Sequence, residues 1–540
     1  MMKNIQAIRY ILLLLIVAGT LQLRAQTWPK YYGEPGRYDY SYDIAEAYDN
    51  GYFILGYQYS SVVQKTWLIK TDVNGEVLWE KVFTSYFNKS SALDPTNDGG
   101  VLICGNNQRT EGEKTNPYVI KLNACGEKEW CVNFAESHEA SYPWANDVKE
   151  LPSGDIVVLV NEYGYHPINT MHLFKLNASG EVLWRNPYAS AYEHPGSLNP
   201  EGNKILITAT NEYLLTGNAY WEDAWNPGGP MGLRSLFVLV DSVGHEKWVL
   251  PFGTSDTIYG KALMSIQDSD ETFIAVGSNW NNEINPFLMK YDVNGKIRGH
   301  NTIDMGTINP LIGEGIFTRL EMKSPNIILG GGFSISTPTH YDMMEAVFDS
   351  NYMNSNYDIL NYVIHAQNDS PYDMKVFNEN KILTSSASLL SAKDIFLAKL
   401  NSNLEYDTLD PGTYTYDSLC TTPGLPQTGF ITLSDCGLFV GMDEIPAPQQ
   451  YNERISQIPI TAFPNPVKED AITLEFENTG YHTLMELRCY DSYGRQCHSQ
   501  KIYKGQQQTR LDVSGWSPGM YMAVIYSNGG IRGKVKFVRE

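Results

Sequence analysis

The sequence predicts an all-β protein, a seven-bladed β-propeller followed by a small immunoglobulin-like β-sandwich. Three observations predict it. A turn of the form Asp/Asn-x-x-Gly, usually two residues after a Lys, recurs along the chain at intervals of 51 to 64 residues. A continuous apolar run bounded by Gly, Asn or Asp accompanies each copy, which reads as a buried strand and not as a helix. Beyond residue 457 that rhythm stops, and short strands of alternating polarity take over.

The chain opens with a signal peptide at residues 1–25. Lys3 and Arg9 form a basic start, Ile11 to Ala18 an apolar core, and Leu23-Arg24-Ala25 a cleavage site before Gln26. No later stretch reaches the roughly 20 apolar residues of a transmembrane helix, so no integral membrane segment is expected after cleavage.

Residues 26–410 hold the repeats. The turns end at Gly75, Gly126, Gly180, Gly244 and Gly295, and two weaker copies end at Tyr352 and Leu404. Trp79, Trp130, Trp184 and Trp248 each lie four residues past a turn. The apolar runs are Gly51–Gly56, Gly99–Ile103, Ser153–Val158, Asn203–Ile207, Glu271–Ala275, Asn326–Leu329 and Asn380–Leu383. Each is read as the second strand of four. Four antiparallel strands per ~50 residues, repeated seven times, fit propeller blades, and closing the ring removes exposed edges. The tryptophans are expected to be buried between blades. Trp28 lies 51 residues before Trp79. The segment Thr27 to Tyr32 is therefore a candidate for the missing fourth strand of the last blade, in competition with Glu405 to Leu409.

Residues 411–457 carry five prolines and no repeat, and read as a partly ordered linker. Seven cysteines cannot all pair. Cys125 with Cys131, Cys420 with Cys436 and Cys489 with Cys497 are near in sequence and suit bridges in an oxidising compartment. Cys104 then remains as a buried thiol.

Residues 458–540 form the last domain. Its landmarks are Phe463-Pro464-Asn465-Pro466, the turn ending at Gly494, Gly519 before Tyr521, and a closing strand with Lys534 and Lys536. In order and spacing the segment resembles the C-terminal sorting domain of type IX (Por) secretion substrates of Bacteroidetes. That resemblance implies recognition by the type IX machinery, passage through the periplasm, and release or display at the outer surface.

The net charge of −21 is uneven. Residues 26–457 hold 27 basic and 53 acidic residues, whereas residues 458–540 hold ten basic and eight acidic. An acidic repeat region repels phosphate backbones, which argues against nucleic acid and anionic membranes as partners.

Chemical motifs are sparse. Gly515-x-Ser517-x-Gly519 matches a nucleophile elbow in spelling, but Pro518 and the absence of a following helix make it a turn. Asp94 to Gly99 lacks the glutamate that completes a calcium loop. The ten histidines show no metal-binding spacing. No catalytic or metal residues are assigned, and no cofactor. The turns Asp72-Val73-Asn74-Gly75-Glu76 with Trp79 are also similar to repeats of pyrroloquinoline-quinone dehydrogenases and their non-catalytic propeller relatives. The adjacent cysteines that those enzymes typically place beside the quinone have no counterpart here, so the resemblance implies the fold alone.

Strand order places the first-to-second and third-to-fourth turns on one face, and the longer second-to-third connections on the other. The longest of these is read as Asn211 to Arg234, with Tyr213, Tyr220, Trp221, Asp223 and Trp225 as candidate ligand-binding residues. Aromatic rings beside amides suit stacking on, and hydrogen bonding to, a glycan or protein ligand. The expected function is a secreted or surface-displayed binding or adhesion module. The alternative is an extracellular hydrolase or lyase that uses acids gathered at the channel.

Overall fold

The computed structural model describes residues 28–540 apart from short segments. The longer of these are 136–142, 163–169, 190–196, 222–231, 254–259, 304–313, 350–358, 388–393, 421–427, 441–459 and 477–484. The signal segment and Gly494 therefore lie outside the described residues.

Seven sheets of antiparallel strands follow one another around a ring. Their innermost strands are Tyr38–Glu46, Phe87–Pro95, Trp144–Glu150, Ser197–Ile207, Gly260–Ser269, Glu314–Ser324 and Ser370–Phe377. Each packs beside the innermost strand of the next blade, and Ser370–Phe377 packs back on Tyr38–Glu46 to close the circle. The last blade supplies three strands from its own repeat, and Lys30–Tyr32 adds the outer fourth by pairing with Ile395–Leu400. The N-terminal segment thus takes that place. Tyr406 meets Leu400 in an isolated bridge and adds no strand to the blade.

The recurring turn is explained by hydrogen bonding. In the first blade Asp72 Oδ1 accepts the backbone N–H groups of Asn74 and Glu76. Asn123, Asn177, Asp241, Asp292 and Asn401 repeat that pair of bonds in their own blades. The acid or amide therefore caps its own turn. The glycine that follows sits under the tryptophan of the preceding blade. A Cβ at Gly126 would lie 2.7 Å from Trp79, and one at Gly180 would lie 2.7 Å from Trp130. Both glycines also hold positive φ, 70° and 84°, so the turn needs glycine on two grounds. Trp28 covers Gly75 in the same way, which is the structural meaning of its 51-residue spacing. Burial of the series differs from expectation. Trp28 and Trp79 are buried, whereas Trp130, Trp184 and Trp248 are half-buried. Trp79 gains cover from the chain beyond the last blade, where Asp417 accepts its Nε1–H at 3.4 Å.

That following segment does not behave as a linker. It runs back over the first two blades as a strap. Thr428–Thr432 pairs in parallel with Val77–Thr84, and Gly437–Val440 with Lys128–Ala135, so the first and second blades each gain a fifth strand. Ile431, Leu433 and Cys436 are buried in one apolar cluster with Phe83 and Leu122. Two disulfides, Cys125–Cys420 and Cys131–Cys436, fasten it. Pairing is therefore between blade and strap, not between sequence neighbours, because the strap lays each of its cysteines beside one on the second blade. Cys489 and Cys497 are unbridged, and Cys104 is a buried thiol.

The C-terminal domain is a sandwich of a three-stranded and a four-stranded sheet. Ile472, Leu474, Leu487, Leu511, Tyr521 and Phe537 form its core. Its opening motif is tied to its closing strand. Asn465 donates to Lys536 O at 3.2 Å and accepts the Val538 N–H at 3.0 Å. Ser517 lies in the turn before a strand, where its carbonyl accepts the Tyr521 hydroxyl at 2.7 Å.

Candidate functional site

Every innermost strand carries a β-bulge at the equivalent position. The register slips between Ser41 and Asp43, Ser90 and Ala92, Ala145 and Asp147, and Gly202 and Lys204. It slips again between Ala262 and Met264, Phe317 and Arg319, and Pro371 and Asp373. A bulge leaves one residue outside the ladder and re-aims the side chains around it. The residues so displaced are Tyr42, Ser91, Asn146, Asn203, Leu263, Thr318 and Tyr372. The first six, with Lys89, Ser90, Trp144, Lys204 and Arg319, line one cavity of about 320 Å³ at the centre of the ring.

Hydrogen bonds pass from bulge to bulge around this cavity. Trp144 Nε1 donates to Ser91 Oγ at 2.5 Å, Asn146 Nδ2 to Gly202 O at 2.9 Å, and Asn203 Nδ2 to Ala262 O at 2.7 Å. Three acids of the same strands bond to the neighbouring blades. Asp43 accepts the Leu93 N–H at 3.0 Å, Asp94 the Glu150 N–H at 2.8 Å, and Asp147 the Ile205 N–H at 2.8 Å. Lys204 bridges Asp147 and Asp43 at 3.4 and 3.6 Å. These carboxylates hold blade to blade.

Lys89 has a different setting. Its ammonium lies 5.1 Å from the Tyr42 ring centre, 5.3 Å from Trp144 and 5.9 Å from Tyr57. Burial lowers its pKa below the usual lysine value. From this cage a row of rings leads outward: Tyr57 packs on Tyr59, and Tyr59 on the exposed Tyr38. Tyr59 and Gln64 border the second-to-third connection of the first blade, so the row opens on the long-loop face.

The five residues predicted from the fourth blade separate. Its second strand is Tyr213–Trp221, and Asn203–Ile207 belongs to its first. The Gly202-Asn203 pair marks a bulge, whereas the true turn is Thr208 to Glu212, where Asn211 takes φ 58°. Tyr213 therefore stands at the short-turn end. It is buried, 6.4 Å from Trp184, and its hydroxyl donates to Ser242 O at 3.2 Å. Tyr220 is exposed at the long-loop end, and Trp221 beside it is half-buried on the core cluster containing Leu236. Asp223 and Trp225 lie outside the described residues. Sequence reasoning missed Tyr42, Lys89, Trp144 and the bulge ring. The available signal was a break in alternation within the first strand of the first blade, where Asp43-Ile44-Ala45 are three consecutive buried residues.

The paired sheets of the C-terminal domain, with Asn465 locked to the closing strand, match the landmarks of a known family. Residues 461–539 match the secretion system C-terminal sorting domain. This sorting domain indicates export to the cell surface or secretion, through contact with the type IX secretion machinery. No helix among the described residues is long and apolar enough to cross a membrane. A search of curated sequences finds no match. Among solved structures the chain is similar to Drosophila Semaphorin 2a, with TM-score 0.42 and 9% identity over 95% of this chain and 100% of that one. It is similar to the β-propeller domain of the Trilobed protease from Pyrococcus furiosus, with TM-score 0.39 and 8% identity over 69% and 100%. It is also similar to the NanB sialidase from Streptococcus pneumoniae, with TM-score 0.36 and 8% identity over 70% of each chain. These likenesses are of fold only.

Proposed function

We propose that the propeller is an extracellular binding module that captures its ligand at the central channel from the long-loop face, with the sorting domain as its export label. The observation that carries this reading is the ring of bulges, which brings the displaced residue of each of the first six blades to a single cavity beside the aromatic cage of Lys89. Bulges concentrate at functional sites because they aim side chains that a regular ladder would not. Catalysis at a propeller channel calls for free acids, and Asp43, Asp94 and Asp147 are committed to backbone amides of neighbouring blades. The binding reading therefore stands ahead of the hydrolase or lyase. Tyr220 and Trp221 flank the same face and fit a secondary contact for a ligand larger than the cavity.

Glycan and protein arrays probed with the mature chain test this. Trp144→Ala is expected to weaken the captured ligands at least tenfold, because an aromatic face is lost where it contributes most to recognition. Full affinity for every captured ligand in that variant would count against the channel as the site.

A further inference from the structure

The charge of the cavity is opposite to that of the protein around it. The chain carries a net −21, yet the cavity is lined by Lys89, Lys204 and Arg319 and, among the described residues, by no carboxylate. Lys204 is answered from behind by Asp43 and Asp147. Lys89 has no ion pair among the described residues; three rings surround it instead. Cation–π attraction from these rings is modest. Lys89 is half-buried, and the rings offset only part of the cost of taking its ammonium out of water. An anion brought into the cavity would supply what the rings do not.

We propose that the cavity binds an acidic saccharide, with its carboxylate or sulfate on Lys89 and a sugar ring against Trp144 and Tyr42. This rests on the binding-module reading and names its ligand class. A volume of about 320 Å³ lies at the small end of ligand sites, sized for a small ligand and not for a folded partner. Ser91, Asn146 and Asn203 add hydroxyl and amide groups around the rim, which suit sugar hydroxyls. Uronates and sulfated sugars share the required chemistry, and the experiment separates them.

Calorimetric titration of the mature chain uses trigalacturonate, its neutral methyl ester, a sulfated galactose trisaccharide and an aspartate-rich hexapeptide. At least one acidic saccharide is expected to bind, and the methyl ester to bind at least tenfold more weakly than trigalacturonate if the uronate is the form recognised. Lys89→Met is expected to weaken the acidic sugar at least tenfold with no loss of melting temperature, since the substitution removes an unpaired cation. Lys89→Arg should restore part of the affinity. Binding should also fade, as pH rises, at a lower pH than an ordinary lysine would give, because only the ammonium attracts the anion and burial favours the amine. Equal affinity for a neutral saccharide, or unchanged affinity in Lys89→Met, overturns the acidic class while leaving a saccharide-binding module in place. Binding of the peptide alone, or of none of the acidic probes, overturns the inference outright, and the arrays with Trp144→Ala then judge the module separately.

Discussion

Lys70→Met is expected to destabilise the propeller by about 3–5 kcal/mol, because it strands two carboxylates that the lysine neutralises. Lys70 is fully buried on the third strand of the first blade, with Nζ 2.6 Å from both Asp49 Oδ2 and Asp417 Oδ1. The same ammonium lies 4.8 Å from the Tyr48 ring and 5.6 Å from Phe53. Asp417 belongs to the strap, and its N–H also donates to Asp49 at 2.9 Å. The triad is thus one of the places where the strap is pinned to the ring. Without the cation, two acids share one site, and one must take up a proton to relieve the other. That proton relieves the repulsion, so the deficit of the variant should narrow as pH falls toward the ordinary carboxylate range and should be fully narrowed once that range is reached. Asp49→Asn in the same background should recover part of the loss. Denaturant unfolding followed by tryptophan fluorescence measures it, and a deficit under about 1 kcal/mol would show that the triad does not hold the strap.

The second large effect is expected from the two bridges together. Cys125–Cys420 spans 295 residues of chain and Cys131–Cys436 spans 305. While either bridge survives, the long loop stays closed. Replacing one alone by Ser opens only a circuit of roughly 20 residues, at about 2–3 kcal/mol. Replacing one cysteine of each pair opens the long loop too, adding about 5–6 kcal/mol on the chain-entropy account. The double variant should therefore lose more than twice what either single variant loses. Hydrogen exchange over residues 428–437 should rise sharply in the double variant and little in the singles. A double variant no worse than the singles would mean that the strap strands and their apolar contacts hold without covalent help.

The contrast between the repeats and the strap shows what was legible in the chain. Each turn of this kind is a local event, decided within five residues by one side-chain oxygen and one positive φ, as in the six copies among the described residues, so the repeat announced the blades; the copy ending at Tyr352 lies outside the described residues. Trp28 could be placed because it packs by the same rule as Trp79, one blade earlier. The strap obeys no such rule. Its strands pair in parallel with the outer strands of two blades, and its cysteines meet partners about 300 residues away, so nearness in sequence pointed to the wrong pairs. The fourth blade failed for a related reason. Gly202-Asn203 has the composition of a turn but forms a bulge, and Asn211 performs the turn without a glycine. The site was hidden by the same device. A bulge changes which way Tyr42 or Asn146 faces without changing the residue types that announce a strand, so a residue such as Lys89 reads as solvated until the ring is assembled.

The most direct test of the channel as the ligand site is to fill it. Cys497→Ser removes the exposed thiol, leaving Cys104 and Cys489 buried. In that background Ser91→Cys places a thiol at the second blade's bulge, and Val243→Cys places one on the exposed short turn of the fourth blade. Both variants would be labelled with the same bulky maleimide and probed on the glycan and protein arrays. Capture should be abolished by the label at position 91 and unaffected by the label at position 243. Undiminished capture with the channel label in place, or loss of capture from the label at position 243, would contradict the account.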